Sequence, residues 1–362
     1  MSSNNESLRK RVLFAVLDWG LGHATRSIPV IRKLRARQCD VMIASSGDSL
    51  KLLKSEFPDY LFFELSSYNA QYSKSIPLML KLLVQVPKFL SAMRKEHLEV
   101  KNLARENNVD IIISDNRYGC WAKGVRSVFI THQVNLIMPK PLRWLEPLVK
   151  RKLNKWISRF DEVWIPDDKH KLTGKLTRPE PRNFRFIGVL SRFVNHRQVV
   201  KNDYDFVAVL SGPEPQRTQL EELVIKGAFT SKLKALIIRG VYEEEVRPKP
   251  ATAGITLINH CNSTELEEIV QESKVIVCRS GYSSIMDLAF VQKDKVLFVP
   301  TPGQTEQEYL AQLLFENRVA PFQRQEDLDL IRGLEDIESY SGFVGWTNDS
   351  NLLDKAIGDL LK

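Results

Sequence analysis

Short runs of apolar, β-favouring residues recur along this chain, several of them ending in polar exits that hold glycine. The first, Arg11 to Leu17 (RVLFAVL), is continuous rather than alternating. That is how a strand reads when both of its faces are buried in a parallel sheet. It runs into Asp18-Trp19-Gly20-Leu21-Gly22-His23-Ala24-Thr25-Arg26-Ser27, after which Ile28, Ile31 and Leu34 keep helical spacing. Strands of the same kind are expected at Asp40–Ala44, Leu61–Leu65, Val109–Ile113, Arg126–Ile130, Glu162–Ile165 and Phe184–Val189. Between the third and fourth, Ile76 to about Asn107 reads as one long or broken helix interrupted by Pro87. A polar stretch from Ser191 to Asp203 follows, and then the pattern starts afresh at Phe206–Leu210, Leu233–Ile238, Gly254–Ile258, Val275–Cys278 and Lys295–Pro300. Two successive βα series, with no short-period repeat, predict an α/β chain of two Rossmann-like doubly wound domains facing each other across a cleft. Ligands of such sheets bind beyond the carboxyl ends of the strands.

Composition narrows the function. With 362 residues, 43% of them apolar, the chain can fill two cores. The net charge of +8 suits an anionic partner: a nucleotide, an anionic membrane or a nucleic acid. A nucleic acid is disfavoured, because no zinc-finger or RNA-recognition motif is present and the basic residues concentrate on one amphipathic segment. Cys39, Cys120, Cys261 and Cys278 are widely spaced, which predicts neither a disulfide framework nor a zinc site. Met1 to Lys10 lack the apolar core of a signal peptide, and no run of about 18 apolar residues follows. A cytoplasmic protein is expected, able to touch the inner face of the membrane.

Three strand exits carry side chains suited to chemistry. Gly20 and Gly22 tighten the first exit and present His23 at the sheet edge, where an imidazole can remove a hydroxyl proton at neutral pH. The other reading of His23 is a helix-start residue that caps or packs. Asp115, ending the strand Val109 onward, would emerge at the same edge and could orient that imidazole. Equally, it could cap the next helix. His132 follows the strand Arg126–Ile130 and either lines an acceptor pocket or is a buried structural histidine.

The stretch Val275 to Leu288 passes from a strand through Arg279-Ser280-Gly281 into Tyr282-Ser283-Ser284, a helix start. Such a turn offers unpaired N–H groups and the positive end of a helix dipole to a phosphate. Arg279 adds charge, Gly281 lets the backbone approach closely, and Asp287 one turn later can accept two hydrogen bonds from a ribose diol. An ordinary βα turn would look similar.

From Met138 to Phe160 there are seven Lys or Arg against the single acid Glu146, with Trp144, Leu148, Leu153, Trp156, Ile157 and Phe160 at helical intervals. Such a helix can lie on an anionic bilayer, or it can pack on the core with a solvated outer face.

Cys278-Arg279-Ser280-Gly281 with an acid six residues after Ser280's neighbour Gly281, then Phe298-Val299-Pro300 and the pair Glu306-Gln307, resembles the donor half of family 28 glycosyltransferases. Within that family it is most similar to the N-acetylglucosaminyltransferases of peptidoglycan lipid precursors; plant and animal UDP-glycosyltransferases are more distant. Gly20-Leu21-Gly22-His23 resembles the histidine-bearing glycine-rich loop of the same superfamily. The resemblance implies a GT-B fold with an acceptor-binding, base-bearing domain over residues 1–188, a donor domain over 189–340 and a C-terminal helix in 341–362 that packs back on the first. It implies inverting, metal-independent transfer from a UDP-sugar, with no cofactor, to a glycan or lipid-linked acceptor, and peripheral membrane contact through residues 138–160.

Carried over by position, His23 with Asp115 is the base dyad. Arg279, Ser280 and Gly281 lie near the nucleotide or diphosphate, Asp287 on the ribose, and Glu306 with Gln307 on the sugar hydroxyls, while Gly22, Ser211, Gly212, Tyr282, Ser283 and Gln304 are further donor-binding positions. The first donor-domain loop departs from the family: it reads Ser211-Gly212-Pro213-Glu214-Pro215-Gln216-Arg217, so Arg217 or Arg239 is expected to make up for missing backbone contacts. Two other readings share the architecture. One is a UDP-sugar 2-epimerase, which needs further acid/base groups. The other is a non-catalytic nucleotide-sugar-binding subunit, in which loss of His23 is harmless.

Overall fold

A computed structural model of the protein describes residues 9–68, 85–169, 171–194, 203–241, 254–346, 349 and 351–362. The described residues divide into two compact units: one takes the chain up to Arg192 together with the stretch Asn348–Lys362, the other takes Phe193–Thr347.

In the first unit seven parallel strands, β1 (Arg11–Val16), β2 (Asp40–Ser45), β3 (Leu61–Glu64), β4 (Ile111–Asp115), β5 (Arg126–Ile130), β6 (Glu162–Ile165) and β7 (Phe184–Phe186), lie in the order β3-β2-β1-β4-β5-β6-β7. Val12 to Val16 have no exposed surface, which is why β1 shows no alternation. On one face Leu13, Ala15, Met42, Ala44 and Ile112 pack against Val100 and Ala104. Those two belong to the helix Val86–Glu106. Helix α1 (Leu21–Ala36) buries Ile28, Ile31 and Leu34 completely, each contributing about 2 kcal/mol by removal from water.

Pro87 does not interrupt the helix Val86–Glu106 but sits in its first turn. There a missing N–H costs nothing, because the opening N–H groups of a helix have no carbonyl behind them. This corrects the expectation of a proline break; residues 76–84 of the expected helix lie outside the described residues, as do 195–202 of the polar stretch.

The last helix, Asn351–Leu360, buries Leu353, Ala356, Ile357 and Leu360. It belongs to the first unit through Lys33 to Asp354 at 2.5 Å, Arg185 to Asp359 at 3.0 Å and Arg126 donating to the Leu360 carbonyl at 3.0 Å.

The second unit holds five parallel strands, β8 (Phe206–Val209), β9 (Ala235–Ile238), β10 (Ile255–Ile258), β11 (Ile276–Cys278) and β12 (Val296–Phe298), in the order β10-β9-β8-β11-β12. Phe206, Ala208, Leu220, Val224, Val277 and Leu297 form its core. Both sheets therefore reverse direction beside their first strand, between β1 and β4 and between β8 and β11. Such a reversal splays the loops apart and opens a crevice at the carboxyl ends.

Candidate active site

In the first unit the reversal brings His23 and Asp115 together. Asp115 is the last residue of β4 and pairs in register with Val16, the last of β1. Beyond Val16 the chain turns through Gly20, at φ 82°, into α1, whose third residue is His23. A β-carbon at that φ is strained, so glycine suits the turn. His23 Nδ1 lies 2.8 Å from Asp115 Oδ1, with Asp115 fully buried and the His23 side chain 13% exposed. A carboxylate only accepts hydrogen bonds, so the proton of neutral His23 sits on Nδ1 and the lone pair on Nε2. That is the tautomer a general base requires.

A residue that the sequence reading did not single out completes the cluster. Arg26, one helical turn after His23 and 2% exposed, donates from Nε to Asp115 Oδ2 at 2.7 Å and from its second amino group to Oδ1. Its other amino group is 2.5 Å from His132 Nδ1. Ser27 Oγ also reaches Asp115 Oδ2, at 3.2 Å. The signal the sequence offered was the spacing alone, an arginine at i+3 from the histidine, since positions three apart share a helix face.

Burial opposes the charge on Asp115, but Arg26 and His23 overcome it and hold the carboxyl well below the usual range. His23 is pushed below 6.5, first by burial and then by Arg26, against the opposite pull of Asp115. It is therefore neutral at pH 7 and able to take a proton. His132, 6% exposed, is a buried histidine tied into this cluster by Arg26.

In the second unit the reversal brings the loop after β8, with Ser211 and Gly212, beside the loop after β11, with Arg279, Ser280 and Gly281; Val209 and Cys278 pair in register. Gly281 is the N-cap of the helix Tyr282–Phe290 and supplies no side-chain cap. Gly212, at φ 106°, lies near the Thr301 hydroxyl. That hydroxyl is buried without a hydrogen-bond partner among the described residues. Asp287 is 7% exposed on the same helix, and Tyr282 is buried at its start, with Ser283 half-buried beside it.

Arg279 is not aimed outward, which corrects one expectation. Its guanidinium is fully buried and donates to the carbonyls of Val299 at 3.0 Å, Pro300 at 3.2 Å and Gln216 at 2.7 Å, and to Gln325 Oε1 at 2.6 Å. Burial lowers its pKa to about 10, still charged at neutral pH, and among the described residues no carboxylate pairs with it. It stitches the strand exits together from beneath and leaves an uncompensated positive charge there.

Arg217 and Arg239 are likewise committed, to Glu221 at 2.6 and 2.8 Å, with Arg217 also held by Glu214 at 2.6 Å. The expectation that either supplies a free cation is corrected: two acids already neutralise them. Gln307 accepts from the Thr301 N–H at 2.9 Å and donates to Gln304 Oε1 at 2.6 Å, while Ser280 Oγ donates to its carbonyl at 2.8 Å. Gln307, Gln304 and Ser280 thus shape the loop after β12, and Glu306 stands half-buried in the first turn of the helix Thr305–Glu316.

The basic segment forms a 3₁₀ turn, Lys140–Leu145, and a helix, Glu146–Ile157. Leu153 and Ile157 face the core, while Trp144 at 74% and Leu148 at 65% are exposed. No helix among the described residues is long and apolar enough to cross a membrane.

Comparisons with known proteins agree with this architecture. Residues 207–342 match the glycosyltransferase family 28 C-terminal domain. A search of curated proteins finds no match. Among solved structures, the glycosyltransferase of kitacinnamycin superposes with a TM-score of 0.65 at 15% identity, covering 97% of this chain and 94% of that one. The MurG protein of Acinetobacter baumannii gives 0.58 at 12% identity over 97% and 99%. The spinosyn rhamnosyltransferase SpnG, complexed with thymidine diphosphate, gives 0.59 at 14% identity over 96% and 92%. The chain thus has the GT-B fold along its length, and its second unit carries the match to the glycosyltransferase family 28 C-terminal domain.

Proposed function

We propose that this protein is an inverting glycosyltransferase that moves a sugar from a UDP-sugar to a hydroxyl of a lipid-linked acceptor or other glycan precursor, without a metal or cofactor. The observation that carries the proposal is the 2.8 Å contact between His23 Nδ1 and a fully buried, ionised Asp115 at the sheet's reversal point. It leaves Nε2 as a base for an acceptor hydroxyl.

In the proposed reaction the acceptor oxygen gives its proton to His23 Nε2 and forms the new bond to the sugar's anomeric carbon. The bond from that carbon to the diphosphate breaks, and its electron pair goes to the β-phosphate oxygen. Attack from the face opposite the leaving group inverts the anomeric centre. Charge grows on the diphosphate, so groups that act on it lower the barrier more than they tighten ground-state binding. In this reading those groups are the N–H groups at the start of the helix Tyr282–Phe290 and the field of buried Arg279 beneath them. Asp287 serves the ribose, Glu306 and Gln304 the sugar hydroxyls. The exposed Trp144 and Leu148, flanked by Arg143, Arg151, Lys152 and Lys155, support contact with the inner face of an anionic membrane.

The test is nucleoside diphosphate release from a panel of UDP-sugars with lipid and glycan acceptors and vesicles present. Acceptor-dependent release that falls at least about 100-fold in His23→Ala is expected. Tight donor binding with no release, the same in both proteins, would instead show a binding subunit. Because one similar structure holds thymidine diphosphate, a thymidine-linked donor is the second reading, and the panel includes it.

A further inference from the structure

Arg26 does more than fill space under α1. Its guanidinium, carried on α1, meets three acceptors at two strand ends: both oxygens of Asp115 at the end of β4, and Nδ1 of His132 just beyond β5, at 2.5 Å. Its second amino group lies 2.9 Å from His23 Nδ1, the nitrogen whose proton goes to Asp115. A guanidinium is planar and always charged, and its fork matches a carboxylate at two points. Asp115 therefore cannot swing or rotate away from His23.

We propose that Arg26 is the positioning residue of the base: it clamps Asp115 in the one orientation that fixes His23 with its proton on Nδ1, and it holds His132 in the opposite tautomer, with Nδ1 accepting. The inference rests on the reading of His23 as the base. A plain histidine–aspartate pair gives the imidazolium a full negative partner. Here the carboxylate's charge is already shared with a guanidinium, so the pair becomes a base that stays unprotonated in the resting protein and is protonated only when an acceptor hydroxyl is consumed. Among the described residues, the charged and titratable groups facing His23 are Arg26 on its own helix, Asp115 from β4 and His132 from beyond β5. Among the described residues Asp115 is the acid that pairs with Arg26. The arrangement thus sets both where the base points and over which pH range it works.

The test uses the full chain, with imidazoles labelled with ¹⁵N, in the native form and as Arg26→Met and Arg26→Lys. NMR follows the tautomers and the His23 titration, and the pH profile of transfer is measured in parallel. In Arg26→Met the His23 midpoint should rise by about 1 pH unit, through loss of a like charge at contact distance, and the acid limb of kcat/KM should move up with it. Arg26→Lys keeps the charge but loses the fork, so the midpoint should stay near the native value while His132 no longer shows a single Nδ1-accepting tautomer.

A folded Arg26→Met protein with native midpoint and tautomers would overturn the proposal, however far its activity had dropped. If that variant does not fold, unchanged tautomers in Arg26→Lys would do the same. The titration needs no turnover, so an absence of glycosyl transfer would count against the proposed reaction alone. Native tautomers in an active, folded variant would count against the clamp alone.

Discussion

Val16 and Asp115 face each other as the last register pair between β1 and β4, and the Leu17 N–H continues the ladder to the Asp115 carbonyl at 3.1 Å. The carboxylate is thus fixed by backbone pairing before any side chain acts on it. His23 needs only the turn through Gly20 to come within hydrogen-bonding distance.

This cluster gives stability a two-step acid dependence. His23 resists protonation when folded, so between pH 6.5 and its lowered folded value the unfolded chain holds more protons and stability falls as pH drops. Asp115 has a depressed folded value, so its contribution is present above about 3.8 and is lost as pH falls further. Each step can reach a slope of about 1.4 kcal/mol per pH unit. Urea midpoints measured from pH 7 to 3 should show both steps. His23→Gln should lose the upper one only.

A substitution at Gly281 tests the proposed donor contact separately from folding. A β-carbon there would meet nothing nearer than Gln307 Nε2 at 3.9 Å, and the backbone φ of −71° suits any residue. Gly281→Ala should therefore cost no more than about 1 kcal/mol, the usual range for an N-cap change. If a diphosphate approaches this backbone, the donor KM should rise by about tenfold, an order corresponding to about 1.4 kcal/mol. Thermal unfolding and initial rates on the same sample decide it; an unchanged KM would remove the phosphate from this turn.

Glu96 is a structural acid of the first unit. It accepts from Arg117 Nε at 2.8 Å, from the Gly119 N–H at 2.9 Å and from the Tyr68 hydroxyl at 3.2 Å, and the Glu96 and Arg117 side chains are both fully buried. Removing one partner leaves the other charge buried and alone, at a cost of about 3–5 kcal/mol. Glu96→Gln should lower the unfolding free energy by that amount, read from urea denaturation curves, in contrast to surface changes.

Trp144 and Leu148 are such surface positions. The double change Trp144→Glu with Leu148→Glu should alter stability by less than about 1 kcal/mol, because neither side chain packs on the core. Flotation with vesicles rich in anionic lipid should drop sharply for the variant and, for the native protein, with added salt. Equal flotation of both would mark this face as merely solvated.

The strands were legible in the sequence because burial on both faces writes them as unbroken apolar runs, as in Val12 to Val16. The order in which they pair brought Asp115 to His23, and periodicity alone cannot report it. Side-chain direction was the harder quantity. Arg279, Arg217 and Arg239 all sit at loop or helix-start positions where cations would serve a phosphate, yet carbonyls or neighbouring acids have taken their guanidiniums. Nothing local in the sequence distinguishes an arginine that faces out from one that braces the turn. Arg26 was hidden for the opposite reason: within an otherwise apolar stripe of α1 it reads as an interruption, and its partners lie about a hundred residues away on β4 and beyond β5.

The helix Asn351–Leu360 returns to the unit in which the chain began. The second unit is therefore an insertion between two parts of the first. A stop codon placed after the family 28 domain would strip Asp354 from Lys33 and the Leu360 carbonyl from Arg126, and so would injure the unit that carries His23 while sparing the one just completed. During synthesis the first unit waits for its last helix until the second has been made, so the second unit is the earlier of the two to be finished.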